Sequence, residues 1–129
     1  MRISLGGGGT DLPSYYRAFG GEIVSAAIDK YVYVAISKPF EKGIFLKYSK
    51  IETVKNIYEI EHPIIRETLL EIDSTIDQIE ISSIADIPAG TGLGSSGSFT
   101  TSLIKGLYTF TRKSIHAREL ADLACHIEI

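Results

Sequence analysis

At 129 residues the chain is long enough for one domain with a hydrophobic core and too short for the two-lobed enzymes that most two-substrate chemistry uses. Its 44% hydrophobic and 22% charged residues exclude the disordered, collagenous and disulfide-scaffold classes. A net charge of -3 with no basic cluster argues against a nucleic-acid partner, and the single Cys125 excludes an internal disulfide. No apolar run nears the roughly 18 residues of a membrane span, and glycines at 6–9 interrupt the apolar start where a signal peptide would continue. The expectation is a cytoplasmic protein with no membrane partner.

Residues 1–5 predict a short strand that runs into the loop Gly6-Gly7-Gly8-Gly9-Thr10-Asp11-Leu12-Pro13. Residues 22–37 are rich in β-branched and aromatic types and predict two strands, with Asp29-Lys30 as the reversal between them. Residues 44–48 and 51–54 predict a hairpin, because Lys and Glu alternate there with Ile, Phe and Leu as on a sheet with one wet face. At 62–73 the period changes: Ile64, Ile65, Thr68, Leu69 and Ile72 recur at helical spacing, and Pro63 suits a first turn, so a helix of about three turns is expected. Residues 78–84 alternate again and predict a strand. Phe99, Leu103, Leu107 and Phe110 share one face of a helix over 95–110. A last helix, expected to be capped by Ser114, carries Ile115, Leu120, Leu123, Ala124 and Ile127. The sum is one α+β domain over residues 1–129 with a mostly antiparallel sheet, and a final helix without cap or turn predicts a piece of a longer protein.

Of 12 glycines, four occupy positions 6–9 and four more are Gly90, Gly92, Gly94 and Gly97. In Pro88-Ala89-Gly90-Thr91-Gly92-Leu93-Gly94-Ser95-Ser96-Gly97-Ser98 the glycines stand directly before a helix, so unpaired backbone N–H groups and the positive dipole end face whatever fills the loop. Ser95, Ser96 and Ser98 add hydroxyls that suit phosphate oxygens or a Mg²⁺ shell, and one serine would have served as a cap. A Walker A loop is excluded because Gly94 is followed by two serines and no Lys. A dinucleotide fold is disfavoured too: helix follows helix, and Glu119 would lie on a helix rather than at a strand end. The three histidines have no ligand-like spacing with Cys125, which speaks against zinc and places them at the surface or an interface.

Residues 88–96 resemble the P-x-x-x-G-L-G-S-S phosphate loop of the GHMP kinases, which include galactokinase, homoserine kinase and mevalonate kinase. The start, Arg2-Ile3-Ser4-Leu5 leading to Thr10-Asp11, is similar to the family's first motif, and both motifs occur in the family's order. With Ile28-Asp29-Lys30-Tyr31-Val32, the front is most similar to the branch acting on D-glycero-D-manno-heptose 7-phosphate and related sugars. The resemblance implies a fold like the second domain of ribosomal protein S5, with helices packed on one side of the sheet. It also implies a longer enzyme whose C-terminal domain and aspartate base are not among these residues, Mg²⁺ and ATP as cofactors, a sugar or sugar-phosphate partner, and room for a homodimer.

Carried over residue by residue, the resemblance assigns the nucleotide to Pro88, Gly90, Thr91, Gly92, Leu93, Gly94, Ser95, Ser96 and Gly97. It assigns Mg²⁺ to Ser96 and Glu128, with Ser95 as the alternative hydroxyl. Asp11, with Thr10 as neighbour, matches the position that accepts hydrogen bonds from sugar hydroxyls, and an Asx-turn before Pro13 is the plain alternative. Arg2 matches a catalytic basic residue near the transferred phosphoryl, against a surface arginine at a terminus. The alternative function is a catalytically silent nucleotide- or phosphate-binding module. An S5-like RNA-binding domain conflicts with the acidic charge and the lack of a basic strand face.

Overall fold

Alternation of Ile79 and Ile81 with Glu80 and Ser82 makes the Gln78–Ala85 strand the natural centre of a sheet, since one face must be covered and its neighbours need matching faces. The computed structural model, which describes residues 1–128, has in chain order β1 (Arg2–Gly6), α1 (Pro13–Phe19), β2 (Val24–Ala27), β3 (Val32–Ser37), β4 (Gly43–Lys47), β5 (Ile51–Val54), α2 (Pro63–Asp73), β6 (Gln78–Ala85), α3 (Ser95–Phe110) and α4 (Ala117–Glu128). Short 3₁₀ turns lie at Gly8–Thr10 and Ile57–Glu59. The main sheet has four strands in the order β3-β6-β4-β5. Its β3–β6 and β4–β5 pairs are antiparallel, whereas β4 and β6 run parallel because α2 crosses over between them.

Ile44 and Leu46 of β4 align with Ile79 and Ile81 of β6, and Ile36 of β3 pairs with Ile81. This face is closed by Ile65 and Leu69 from α2 and by Leu103 and Leu107 from α3, all buried. Each such side chain contributes roughly 1.5–3 kcal/mol on burial. Helix α4 covers the far side of α3 through Ile104, Ile115 and Ala124, with Leu120, Leu123 and Ile127 around them. No helix among the described residues is long and apolar enough to cross a membrane.

Two expectations need correction, and one element was not foreseen. The strands of residues 22–37 form, but they do not pair with one another. β2 pairs with β1 in a separate two-stranded sheet while β3 joins β6, so Asp29-Lys30 carries the chain between sheets rather than around a hairpin. The stretch after the first glycine loop holds the short helix α1, started by Pro13 at its first turn. Ser114 does not cap α4: His116 Nδ1 accepts from the Arg118 N–H at 3.4 Å and Glu119 accepts from the His116 N–H at 3.4 Å.

Candidate active site

Strand β6 delivers the chain to the second glycine loop at a defined angle. The Tyr31 N–H donates to the Asp86 carboxylate at 2.9 Å and the Asp86 N–H donates back to the Tyr31 carbonyl at 3.0 Å, which ties the strand's exit to the start of β3. Thr91 then donates to the Pro88 carbonyl at 3.3 Å. Gly90, Gly92 and Gly94 all have positive φ, and Gly94, at +72°, is the cap residue of α3. A glycine cap brings no side chain to the helix end. The first turn inside the helix therefore keeps the N–H groups of Ser95, Ser96 and Gly97 free of a capping acceptor, the Ser98 N–H being the first to reach back, to the Gly94 carbonyl at 3.1 Å.

Arg2 lies against this loop. Its backbone N–H donates to the Leu93 carbonyl at 3.0 Å and its Nη1 to the Gly92 carbonyl at 3.1 Å. A Cβ on Gly94 would come within 3.3 Å of Arg2 Cγ, so the absence of a side chain at Gly94 lets the arginine sit beside the loop. A guanidinium has five N–H donors, and most remain for an anion. From the other side, Glu128 at the end of α4 accepts a hydrogen bond of 2.5 Å from the buried Thr100 hydroxyl, which is also 3.1 Å from the Ser96 carbonyl. That hydroxyl has one proton, and the ionised carboxylate is the stronger acceptor. The Glu128 carboxylate is thereby held over the start of α3, about where a Cβ on Gly97 would look out, 4.0 Å from its Oε1. Arg2, Gly90, Gly92, Gly94, Ser95, Ser96, Gly97 and Glu128 line one open cleft of about 660 Å³.

The residues of the loop also face a second cleft of about 670 Å³ on the sheet side, bounded by Val32, Tyr48, His62, Ile64, Pro88 and Phe99. Gly90, Ser95 and Ser96 touch both clefts, so the loop is the wall between them. Behind the second cleft sits a buried polar knot. Glu52, 6% exposed, accepts from the Tyr48 hydroxyl at 2.5 Å, from the Glu61 N–H at 2.7 Å and from the His62 N–H at 3.3 Å. Burial pushes the Glu52 carboxyl up, but those three donors outweigh it and hold it below the usual carboxylate range. Burial and then the Glu52 carboxylate push the Tyr48 phenol up to about 12. His62, expected at the surface or an interface, is half-buried at the start of α2 and lines the cleft, and burial pushes its imidazole down against the pull of Glu52.

Thr10 and Asp11 line a separate, smaller depression of about 320 Å³ with Tyr16, Gly21 and Ile23. The Thr10 hydroxyl is engaged by the backbone, at 2.7 Å from the Gly7 carbonyl, 3.0 Å from the Glu22 carbonyl and 3.1 Å from the Glu22 N–H, so it closes the first glycine loop onto the chain after α1. Asp11 is exposed and makes no side-chain hydrogen bond among the described residues, which leaves the Asx-turn unformed and its oxygens open to a ligand. The arrangement brings Arg2, the loop and Glu128 together and leaves Asp11 in a pocket of its own. Thr100 was missed from the sequence, although its spacing of one helical turn from Ser96 was visible; Tyr48, Glu52 and His62 carry no spacing signal at all.

Among the described residues no group of three His, Cys, Asp or Glu side chains stands ready to cage a metal. The oxygens of Glu128 and Ser96 are hard donors that suit Mg²⁺, an ion that takes one or two carboxylates and fills its shell with water and phosphate oxygens.

Residues 54–129 match the GHMP kinases N terminal domain. The chain is 24% identical, over 99% of its length, to a D-glycero-alpha-D-manno-heptose 7-phosphate kinase of Campylobacter jejuni, of which it covers 41%. Its backbone superposes with a TM-score of 0.88 on the crystal structure of a D-glycero-D-manno-heptose 1-phosphate kinase from Bacteroides thetaiotaomicron, at 24% identity, covering 99% of this chain and 45% of that one. Mevalonate kinase of Methanococcus jannaschii matches with a TM-score of 0.69 at 27% identity, over 82% of this chain and 38% of that one. The chain thus spans less than half the length of each of these relatives. With a family match over more than half of its residues and the ribosomal protein S5 domain 2-like α+β fold of these kinases, it belongs to the GHMP kinase family and carries the family's N-terminal domain.

Proposed function

We propose that these residues form the nucleotide-binding front part of an ATP-dependent sugar kinase acting in the cytoplasm, which moves the γ-phosphoryl of Mg-ATP to D-glycero-D-manno-heptose 7-phosphate. The observation that carries the reading is the bare end of α3: a glycine cap, free first-turn N–H groups, and Arg2 and Glu128 converging on the same cleft. Phosphoryl transfer asks a protein chiefly to hold the phosphates in place and to offset charge on the moving group. The backbone of residues 90–97 would hold the triphosphate, and Arg2 would face the charge that develops on the transferred group. Ser96 and Glu128 would hold Mg²⁺, with Thr100 fixing the carboxylate. Bound there, the ion would neutralise charge shared between the β- and γ-phosphates.

The second cleft, with Val32, Ile64, Ile87 and Phe99 for apolar contact and the polar side chains of Tyr48, Ser49, His62, Ser83 and Asp86 among them, suits a flat heteroaromatic base such as adenine. Asp11 would accept from sugar hydroxyls, while Thr10 holds the loop that presents it. In the transfer the acceptor hydroxyl oxygen bonds to the γ-phosphorus as the bond to the β–γ bridging oxygen breaks, ADP leaves, and the hydroxyl proton passes to a base that none of the residues named here supplies. The heptose is drawn from the Campylobacter jejuni relative, and the Bacteroides structure carries the name of a 1-phosphate substrate instead.

The test is mass-spectrometric detection of phosphate added from Mg-ATP to a panel of sugars and sugar phosphates. It would use this chain beside the longest polypeptide encoded by the reading frame that contains it. The reading expects the longer polypeptide to phosphorylate a heptose 7-phosphate, and Ser96→Ala to weaken Mg-ATP binding about tenfold or more with an unchanged melting temperature. If nothing is phosphorylated yet this chain binds ATP, it is a nucleotide-binding module rather than part of a kinase.

A further inference from the structure

Within the second cleft, one side chain is both anchored and unspent. His62 starts α2, and its Nδ1 accepts from the Ile65 N–H at 3.4 Å. That contact makes Nδ1 the acceptor nitrogen and leaves the proton on Nε2. The ring is held on both sides: it meets Tyr48 edge-on at 4.7 Å and leans on Phe99 at 5.4 Å. Tyr48 is in turn bonded to the buried Glu52 carboxylate, which also accepts from the His62 N–H, so ring and backbone of His62 are tied to one fixed point. No protein atom among the described residues takes the Nε2–H, and no buried polar side-chain atom is left without a partner. Nε2 therefore meets open space, and the open space that His62 lines is the second cleft, whose far wall is Ser95 and Ser96.

We infer that His62 reads the base of the nucleotide, donating its Nε2–H to an acceptor nitrogen of the adenine ring. The inference rests on the nucleotide reading given above and adds to it the residue that makes the base worth binding. A neutral donor between aromatic rings suits an uncharged, flat heteroaromatic acceptor, and burial keeps this imidazole on the neutral side.

The experiment is calorimetric titration of the 129-residue chain with Mg-ATP, with Mg-triphosphate, and with ATP analogues in which N1, N3 or N7 is replaced by carbon. Two variants are compared with the unaltered chain. His62→Phe keeps a ring between Tyr48 and Phe99 and loses the donor; His62→Asn keeps an acceptor for the start of α2 and is too short to reach the base. Both are expected to weaken Mg-ATP by about five- to tenfold while leaving Mg-triphosphate unchanged. One of the three analogues should bind the unaltered chain as weakly as ATP binds His62→Phe, and the substitution should then cost nothing further. Should His62→Phe fail to fold, His62→Asn alone carries the comparison. Unchanged ATP affinity in the folded variants, equal weakening of ATP and triphosphate, or an equal penalty with ATP and all three analogues overturns the inference. No Mg-ATP binding by the unaltered chain would sink the nucleotide reading itself.

Discussion

Residues 1–27 and residues 43–107 are held by different means. The later region has its apolar side chains out of water: Ile44, Leu46, Leu69, Ile79, Leu103 and Leu107 are wholly buried between the main sheet and two helices. In residues 1–27 no side chain is buried, and Leu5 and Phe19 are 72% and 77% exposed. The early layer is attached by hydrogen bonds instead. The Met1 carbonyl accepts from the Ile28 N–H at 3.2 Å, and Arg2 holds the carbonyls of Gly92 and Leu93. The lesson is that the second glycine loop is the joint of the molecule. The core sets where the loop begins and how α3 is aimed, and the loop in turn fixes Arg2, which would otherwise be a free terminal arginine.

The sharpest way to break that comparison is to remove the same side chain from each region. Leu103→Ala should cost about 2–5 kcal/mol in a urea melt, because it opens a cavity in a closed core. Leu5→Ala should stay within about 0.5 kcal/mol, because its side chain is already in water. Equal losses would mean that the early layer is packed after all.

Gly7→Ala should act more locally. Gly7 has φ +85°, and a Cβ there would stand 1.9 Å from the Glu22 carbonyl oxygen, so the loop that Thr10 closes cannot keep its form. The cost is about 1–3 kcal/mol for the layer alone. Hydrogen exchange should show β1 and β2 amides losing protection while β4 and β6 keep theirs; loss in both regions together would make them one cooperative unit.

Tyr48→Phe probes the polar knot of the core, where Glu52 would lose a donor and the fold about 1–3 kcal/mol. The pH profile follows from the same groups. The folded Glu52 carboxyl lies below its ordinary value of 4.5 and the folded His62 imidazole below its ordinary 6.5, so in both cases the unfolded chain binds protons first. Stability should fall as pH drops below 6.5 and fall further below 4.5. The Tyr48 phenol, raised from 10.0 to about 12, is the reverse case: its contribution is whole below pH 10 and is lost as pH rises towards 12. Urea midpoints across pH 4–11 would check this, and the alkaline loss should shrink in Tyr48→Phe.

The core was the readable part of this sequence. Ile79 and Ile81 against Ile44 and Leu46, and Leu103 with Leu107, repeat with the period of their own element because each face has a neighbour to cover it. Helix α1 left no such trace, having no buried residue to impose a period. The separation of β2 from β3 was hidden as well, since strand composition says what pairs with a sheet and not with which one. In the site, the glycines announced the loop, but the partners that shape it did not. Thr100 meets Glu128 only because α3 and α4 pack together, and Tyr48 and His62 meet over Glu52 only because the β4–β5 hairpin comes against the start of α2.

The most direct test of the central claim is a titration of the ¹⁵N-labelled chain with Mg-ATP, following each backbone amide by NMR. If the bare end of α3 is a triphosphate cradle, the largest shifts fall on Gly90, Gly92, Gly94, Ser95, Ser96 and Gly97, followed by Arg2 and Glu128, and in Ser96→Ala they need about ten times more Mg-ATP to reach half their size. Saturating Mg-ATP that leaves those amides unmoved, or that moves only the surroundings of Asp11, would contradict it.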